Sequence, residues 1–210
     1  MRPLELLLVR HGQSTANAEG VWQGQLDFPL SEEGRIQARL TGKALSSEPL
    51  SAVYTSPLSR ALETAEIIAR EARYRGKVVP MAGLMERHGG ILEGTTGAER
   101  EKRMPGLVAK LASLPEEEGW LLVGAETDEE VLARFEQALS EILYRHRPEG
   151  GKILVVSHGG AIRAYLRGLF GKDILPGSER APNASITRLC WNDGGGPGLL
   201  ELASTSHLSA

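Results

Sequence analysis

The sequence predicts a three-layer α/β/α sandwich. Its sheet is mostly parallel, with an edge hairpin strand near the C-terminus and a small cap excursion at about residues 87–125. Three observations carry this prediction. Residues 6–9 (LLLV) and 153–156 (ILVV) are unbroken apolar runs of strand length, as expected of strands buried on both faces. Stretches with helical spacing of apolar residues alternate with such runs along the chain, the pattern of crossovers over a parallel sheet. Both runs end in a histidine followed by glycine, RHG at 10–12 and SHGG at 157–160. Strand ends of this kind deliver side chains to the carboxyl edge of a sheet, where open α/β folds bind ligands.

The elements follow in order. After the first strand, residues 18–30 contain Gly20, Gly24 and Pro29 and read as a loop. Ser31 fits a helix N-cap, with Ile36, Leu40 and Ala44 as the apolar stripe of a helix to about Leu45. Residues 52–55 read as a short strand. Ser56-Pro57 then predicts an N-cap with proline at the first helical position, opening a helix to about Arg73 along Leu58, Leu62, Ala65 and Ala69. Residues 78–81 read as another strand. Between 87 and 125 glycine and proline break the periodicity, and one short helix is expected around 107–114. Thr127 with Glu130 forms a capping box for a helix along Val131, Phe135, Leu139 and Ile142. The second histidine-bearing strand follows at 153–157, then a helix from about Ala161 to Phe170. Residues 186–191 and 199–203, separated by Asn192-Asp-Gly-Gly-Gly-Pro-Gly, read as a hairpin. That glycine run reads as a turn, because neither a lysine nor a helix start follows it. All of 1–210 is expected to form one domain, with the excursion as its insert.

Composition narrows the function. A net charge of −3 supplies no global field for nucleic acid or an anionic membrane. No apolar run approaches the roughly 20 residues that span a bilayer. The one cysteine, Cys190, excludes an internal disulfide and a cysteine-based zinc site, and its alternating context reads as packing. A cytoplasmic protein without metal or cofactor is expected, acting on a small molecule.

Five side chains can converge at the carboxyl edge: Arg10, His11, Arg60, Glu86 and His158. Singly each has a plain reading; Arg60, for example, could be a helix residue paired with Glu63 or Thr64. Together, two guanidinium forks and two imidazoles make a pocket for a dianion such as phosphate. Neither GxxxxGK[ST] nor HExxH occurs. Phosphate chemistry without a metal needs its charge met by Arg and His, and it needs a nucleophile, which a neutral histidine can be.

Five ordered segments, RHGQSTAN, TSPLSRALETAEII, LMERHGGILEG, VSHGGAIR and NASITRL, resemble the histidine phosphatase superfamily, which includes the phosphoglycerate mutases. The resemblance implies a phosphohistidine enzyme with His11 as nucleophile. It also implies that Arg10, Arg60, His158, Asn17 and Gly159 hold the phosphoryl group, and that Glu86 is the acid and then the base. It leaves a hydrolase of small phosphomonoesters, a bisphosphoglycerate-dependent phosphoglycerate mutase and a non-catalytic phosphate-binding protein as alternatives. Gly89, Gly97 and Gly160 stand where mutases of the family carry Tyr, Lys and Asn, and no adjacent arginine pair follows. These departures favour the hydrolase, because groups expected to grip a second anion are missing.

Overall fold

The computed structural model describes residues 3–175, 180–191 and 196–209. Its six strands are β1 (Leu4–Arg10), β2 (Leu50–Thr55), β3 (Val78–Pro80), β4 (Gly151–Ser157), β5 (Ile186–Trp191) and β6 (Gly198–Ser204), in the order β3-β2-β4-β1-β5-β6. The pairs β1–β4, β4–β2 and β2–β3 are parallel, while β5 and β6 run antiparallel at one edge. The turn expected between β5 and β6 lies partly outside the described residues.

Alternation explains the unbroken apolar runs. Leu6, Leu8, Ile153 and Val155 point to one face, where Phe135, Leu139, Ile142, Ile162 and Leu166 cover them. Leu7, Val9, Leu154 and Val156 point to the other, against Ala38, Ala61, Ala65 and Ile68. A strand with a period of two and helices on both sides has no polar face to show. The first layer is formed by α7 (Asp128–His146) and α8 (Gly159–Phe170), the second by α2 (Glu32–Ala44) and α3 (Ser59–Glu71). No helix among the described residues is long and apolar enough to cross a membrane.

This arrangement positions a site. β1 and β4 are neighbours, but the chain leaving β1 runs to the α2/α3 layer and the chain leaving β4 enters α8 in the opposite one. Where neighbouring connections diverge, a crevice opens beyond the carboxyl ends of the strands. His11 and His158 immediately follow the paired ends Arg10 and Ser157.

Two expectations need correction, and one short helix was not anticipated. Ser56 does not cap α3; Leu58 stands at the cap position in extended conformation without a side-chain bond, and the helix begins at Ser59. The unanticipated helix, α1 (Thr15–Ala18), leads into the loop expected at 18–30, and Ser14 with Asn17 forms its capping box. The excursion holds three helices rather than one: α4 (Gly97–Arg103), α5 (Leu107–Ser113) and α6 (Glu116–Leu122). They enclose a small cluster of their own, in which Leu92, Val123 and Ala125 are buried against Trp22, Leu107, Leu111 and Trp120. Arg163 and Arg167 of α8 tie it to the body by ion pairs with Glu116.

Candidate active site

Beyond the ends of β1 and β4 lies a cleft of about 230 Å³. Arg10, His11, Asn17, Arg60, Glu86 and Gly160 all reach its wall. His158 and Gly159 do not line it. His158 is fully buried beside His11, with ring centroids 5.1 Å apart, and Gly159 opens α8 against the Arg10 guanidinium.

The loop after β1 sets His11. Gly12 packs on the backbone of α2, where a Cβ would lie 2.4 Å from the Gly34 carbonyl oxygen, so no side chain fits there. His11 Nδ1 lies 2.6 Å from the Gly12 carbonyl oxygen. A carbonyl only accepts, so Nδ1 carries the proton and the Nε2 lone pair is left free. Burial holds the His11 imidazole well below the usual histidine range, and the neighbouring Arg60 and Arg10 push it further in the same direction. Burial does the same to His158, again helped by Arg60. His158 Nε2 sits 2.7 Å from Ser56 Oγ, so the serine expected to cap a helix orients an imidazole instead.

The two arginines are fixed by backbone carbonyls. Arg60 Nη1 and Nη2 donate to Leu26 and Gly24 at 2.9 and 2.8 Å, and Arg10 Nη1 donates to Ala181 at 2.7 Å. Burial brings the Arg10 guanidinium down to about 10, partly offset by Glu86, so it is still a cation at neutral pH. Arg10 Nε, Arg60 Nε and His158 Nδ1 are buried without a hydrogen-bond partner. Buried polar atoms are rarely left so.

Glu86 faces this group from the start of the excursion. Its carboxylate receives the N–H groups of Gly160 and Ala161 at the N-terminus of α8, each at 3.0 Å, and that of Arg87 at 2.8 Å. Its own carbonyl is held by Arg134 of α7 and by Gln25. A Cβ on Gly160 would lie 2.5 Å from Glu86 Oε1, so this glycine makes room for the carboxylate. A Cβ on Gly89 would meet Trp22 Nε1 at 2.6 Å, whereas one on Gly97 would find only Arg100 Nη2, in ordinary contact at 3.8 Å. Asn17 Oδ1 accepts from Asn183 Nδ2 at 3.2 Å, and Asn183 also holds the His11 carbonyl.

The expectation that cations for a second anion are missing does not survive the geometry: Arg87, Arg100 and Arg180 also line the cleft. Sequence reasoning passed over them, and over Ser56, Trp22 and Asn183. Ser56 directly follows β2 at the carboxyl edge and could have been found by the rule that found His11. Among the described residues no three His, Cys, Asp or Glu side chains are grouped as metal ligands.

The buried neutral imidazoles make stability depend on pH. Below about 6.5 the unfolded chain takes up protons that folded His11 and His158 refuse, so stability falls as pH drops through that value. Each contributes a slope of about 1.4 kcal/mol per pH unit until its folded-state pKa is reached. The partly exposed His146 and His207 are shifted the same way and add less. Urea unfolding at pH 7.5, 6.5 and 5.5 should show midpoints falling steadily, and a midpoint constant over this range would contradict the burial of neutral imidazoles.

Comparison with known proteins agrees with this architecture. The family model of the histidine phosphatase superfamily (branch 1) matches residues 6–204. The metal-independent phosphoserine phosphatase of Arabidopsis thaliana is 36% identical over 78% of this chain and 68% of its own length. The 2,3-bisphosphoglycerate-dependent phosphoglycerate mutase 2 of Gloeobacter violaceus is 32% identical over 77% of this chain and 73% of its own. The solved structure of Bacillus stearothermophilus YhfR superimposes with a TM-score of 0.82 at 30% identity, covering 98% of this chain and 99% of that one. A strand-end histidine pair at a switch point, matched by a family model from the first strand to the last, makes this chain a member of the histidine phosphatase superfamily.

Proposed function

We propose that the protein is a metal-independent phosphomonoester hydrolase that works through a phosphohistidine on a small phosphorylated metabolite. The observation that carries the reading is the His11 ring. Its Nδ1 is committed to the Gly12 carbonyl and its Nε2 is free, in a pocket whose arginines and second imidazole hold three unpartnered nitrogens.

His11 Nε2 attacks phosphorus as the bond to the leaving oxygen breaks, and Glu86 gives that oxygen its proton. Arg10, Arg60 and His158 Nδ1 donate to the phosphoryl oxygens, where charge spreads in the transition state; Asn17 and the backbone at Gly159 complete the seat. For Nδ1 to donate, His158 Nε2 accepts from the Ser56 hydroxyl. Water then attacks the phosphohistidine, Glu86 takes its proton, and inorganic phosphate leaves. Two guanidinium cations meet the charge that a metal would otherwise neutralise.

A mutase must keep water away from the phosphohistidine while its intermediate turns over. The excursion is poorly built for that: among the described residues it buries only three apolar side chains in its own cluster. The mutase reading draws on the additional arginines of the cleft. Both activities should be assayed on one preparation, as phosphate release from a panel of small esters and as bisphosphoglycerate-primed isomerisation of 3-phosphoglycerate. Phosphate release should be the faster. Isomerisation tenfold faster than hydrolysis of every ester, a difference of about 1.4 kcal/mol in barrier, would replace the hydrolase reading.

A further inference from the structure

We propose that Arg134, oriented by Glu126, is a positioning residue for proton transfer: it fixes the backbone from which the Glu86 carboxyl reaches the cleft. The inference rests on the acid–base role that the phosphatase reading gives Glu86.

Glu86 sits where regular structure gives little support. It follows a single turn, Ala82–Leu84, and Met85 beyond that turn is extended. Residues 83–86 lie in no strand, yet side chains take all four of their carbonyls. The Leu84 carbonyl accepts from Ser157 Oγ, at the end of β4, at 2.8 Å. The other three accept from one guanidinium. Arg134 Nη1 donates to Gly83 at 3.0 Å and to Met85 at 2.7 Å, and Nη2 donates to Glu86 at 2.9 Å.

The fork is saturated. Arg134 Nε and the second Nη2 N–H go to the two carboxylate oxygens of Glu126, at 2.8 and 2.9 Å. Five N–H groups thus meet five oxygens, which a lysine, with three donors and no plane, could not match. Glu126 closes the clasp. Its Oε2 also accepts the His88 N–H at 2.7 Å, and its own N–H donates to the His88 carbonyl at 3.0 Å. Burial opposes its ionisation, but Arg134 and the His88 N–H hold its carboxyl below the usual carboxylate range. The base is firm, because Val131 and Phe135, on either side of Arg134 along α7, are fully buried.

Arg134 is not among the residues that line the cleft, so it acts through Glu86. A proton donor must lie within hydrogen-bond reach of the leaving oxygen, and a displacement of about 1 Å can cost roughly a hundredfold in rate.

Ethyl phosphate and p-nitrophenyl phosphate, whose leaving groups differ in their need for an acid, test this. Arg134→Gln should lower kcat on ethyl phosphate by about tenfold to a hundredfold, and on p-nitrophenyl phosphate by about threefold at most, with both KM values kept. Arg134→Lys, which keeps the charge but not the fork, and Glu126→Gln should show the same split more mildly. In Glu86→Gln protein, Arg134→Gln should add no loss on ethyl phosphate. Equal losses on the two esters, or a full further loss in the double variant, overturn the proposal.

Amide exchange judges it without turnover. Gly160 and Ala161, in the first turn of α8, have no partner inside the helix and rely on the Glu86 carboxylate. In the Arg134 and Glu126 variants their N–H groups should exchange about tenfold faster or more, while the amides of β1 and β4 hold. Unchanged protection, or a rise shared equally by the strands, also overturns the proposal. A wild type that hydrolyses neither ester would sink the phosphatase reading, and exchange would still judge the clasp.

Discussion

His11→Ala should abolish both turnover and the phosphoenzyme. Among the described residues His11 alone lines the cleft with a free imidazole lone pair beside both inner arginines; His158 lies behind it, with its Nε2 lone pair on the Ser56 hydroxyl and only an N–H at Nδ1 to offer. A missing nucleophile cannot be made good by the arginines, which stabilise charge but form no bond to phosphorus. Rapid quench with labelled p-nitrophenyl phosphate should trap a labile phosphoenzyme in the wild type and none in the variant, with hydrolysis at background. The fold should persist, because a smaller side chain at this position leaves a polar space open to the cleft. A labelled His11→Ala protein would move the nucleophile elsewhere.

Glu86→Gln should lower kcat for alkyl phosphates by roughly 10²–10⁴, the range of general acid–base catalysis, and lower it far less for aryl phosphates, whose leaving groups need little help from an acid. Substrate affinity should be retained, since Arg10, Arg60 and the histidines are untouched. The substitution also has a structural side. Glu86 accepts from Gly160, Ala161 and Arg87, and a glutamine presents one carbonyl oxygen and an amide to the same three donors. A stability loss of about 1 kcal/mol is expected from that mismatch. Comparing alkyl and aryl substrates separates the roles, because a merely structural Glu86 would reduce both equally.

The strand ends were legible because burial on both faces leaves one reading for an apolar run, and chain direction then dictates which edge the next residues reach. Arg10, His11 and His158 follow from that. Glu86 followed from the motif resemblance. The excursion was legible only at α5, which falls where a short helix was expected; α4 and α6 were missed for a physical reason. Its three helices have seven residues each, about two turns, too short for a face to repeat. Pro115, one of the residues that suggested a break in helix, occupies the N-cap position of α6. Ser56 was misassigned because capping grammar and site geometry favour the same residue type after a strand. Arg180 carries no local signal, since only tertiary placement brings it over Trp22. Gly160 shows the converse risk: its missing side chain suggested a lost ligand contact, whereas the space is filled by Glu86.

Trp22 belongs to two neighbourhoods at once. Its indole packs into the small cluster under α5 and α6, and its ring carries the outer guanidinium pair. That cluster is separate from the two that bury the sheet, and local opening in proteins follows such divisions. Mild heat or denaturant therefore reaches the cleft's outer wall first, while the imidazoles, anchored to strand ends, keep their places until the sheet itself gives way. The outer wall of the cleft and its imidazole floor then draw on different parts of the fold's resistance to unfolding.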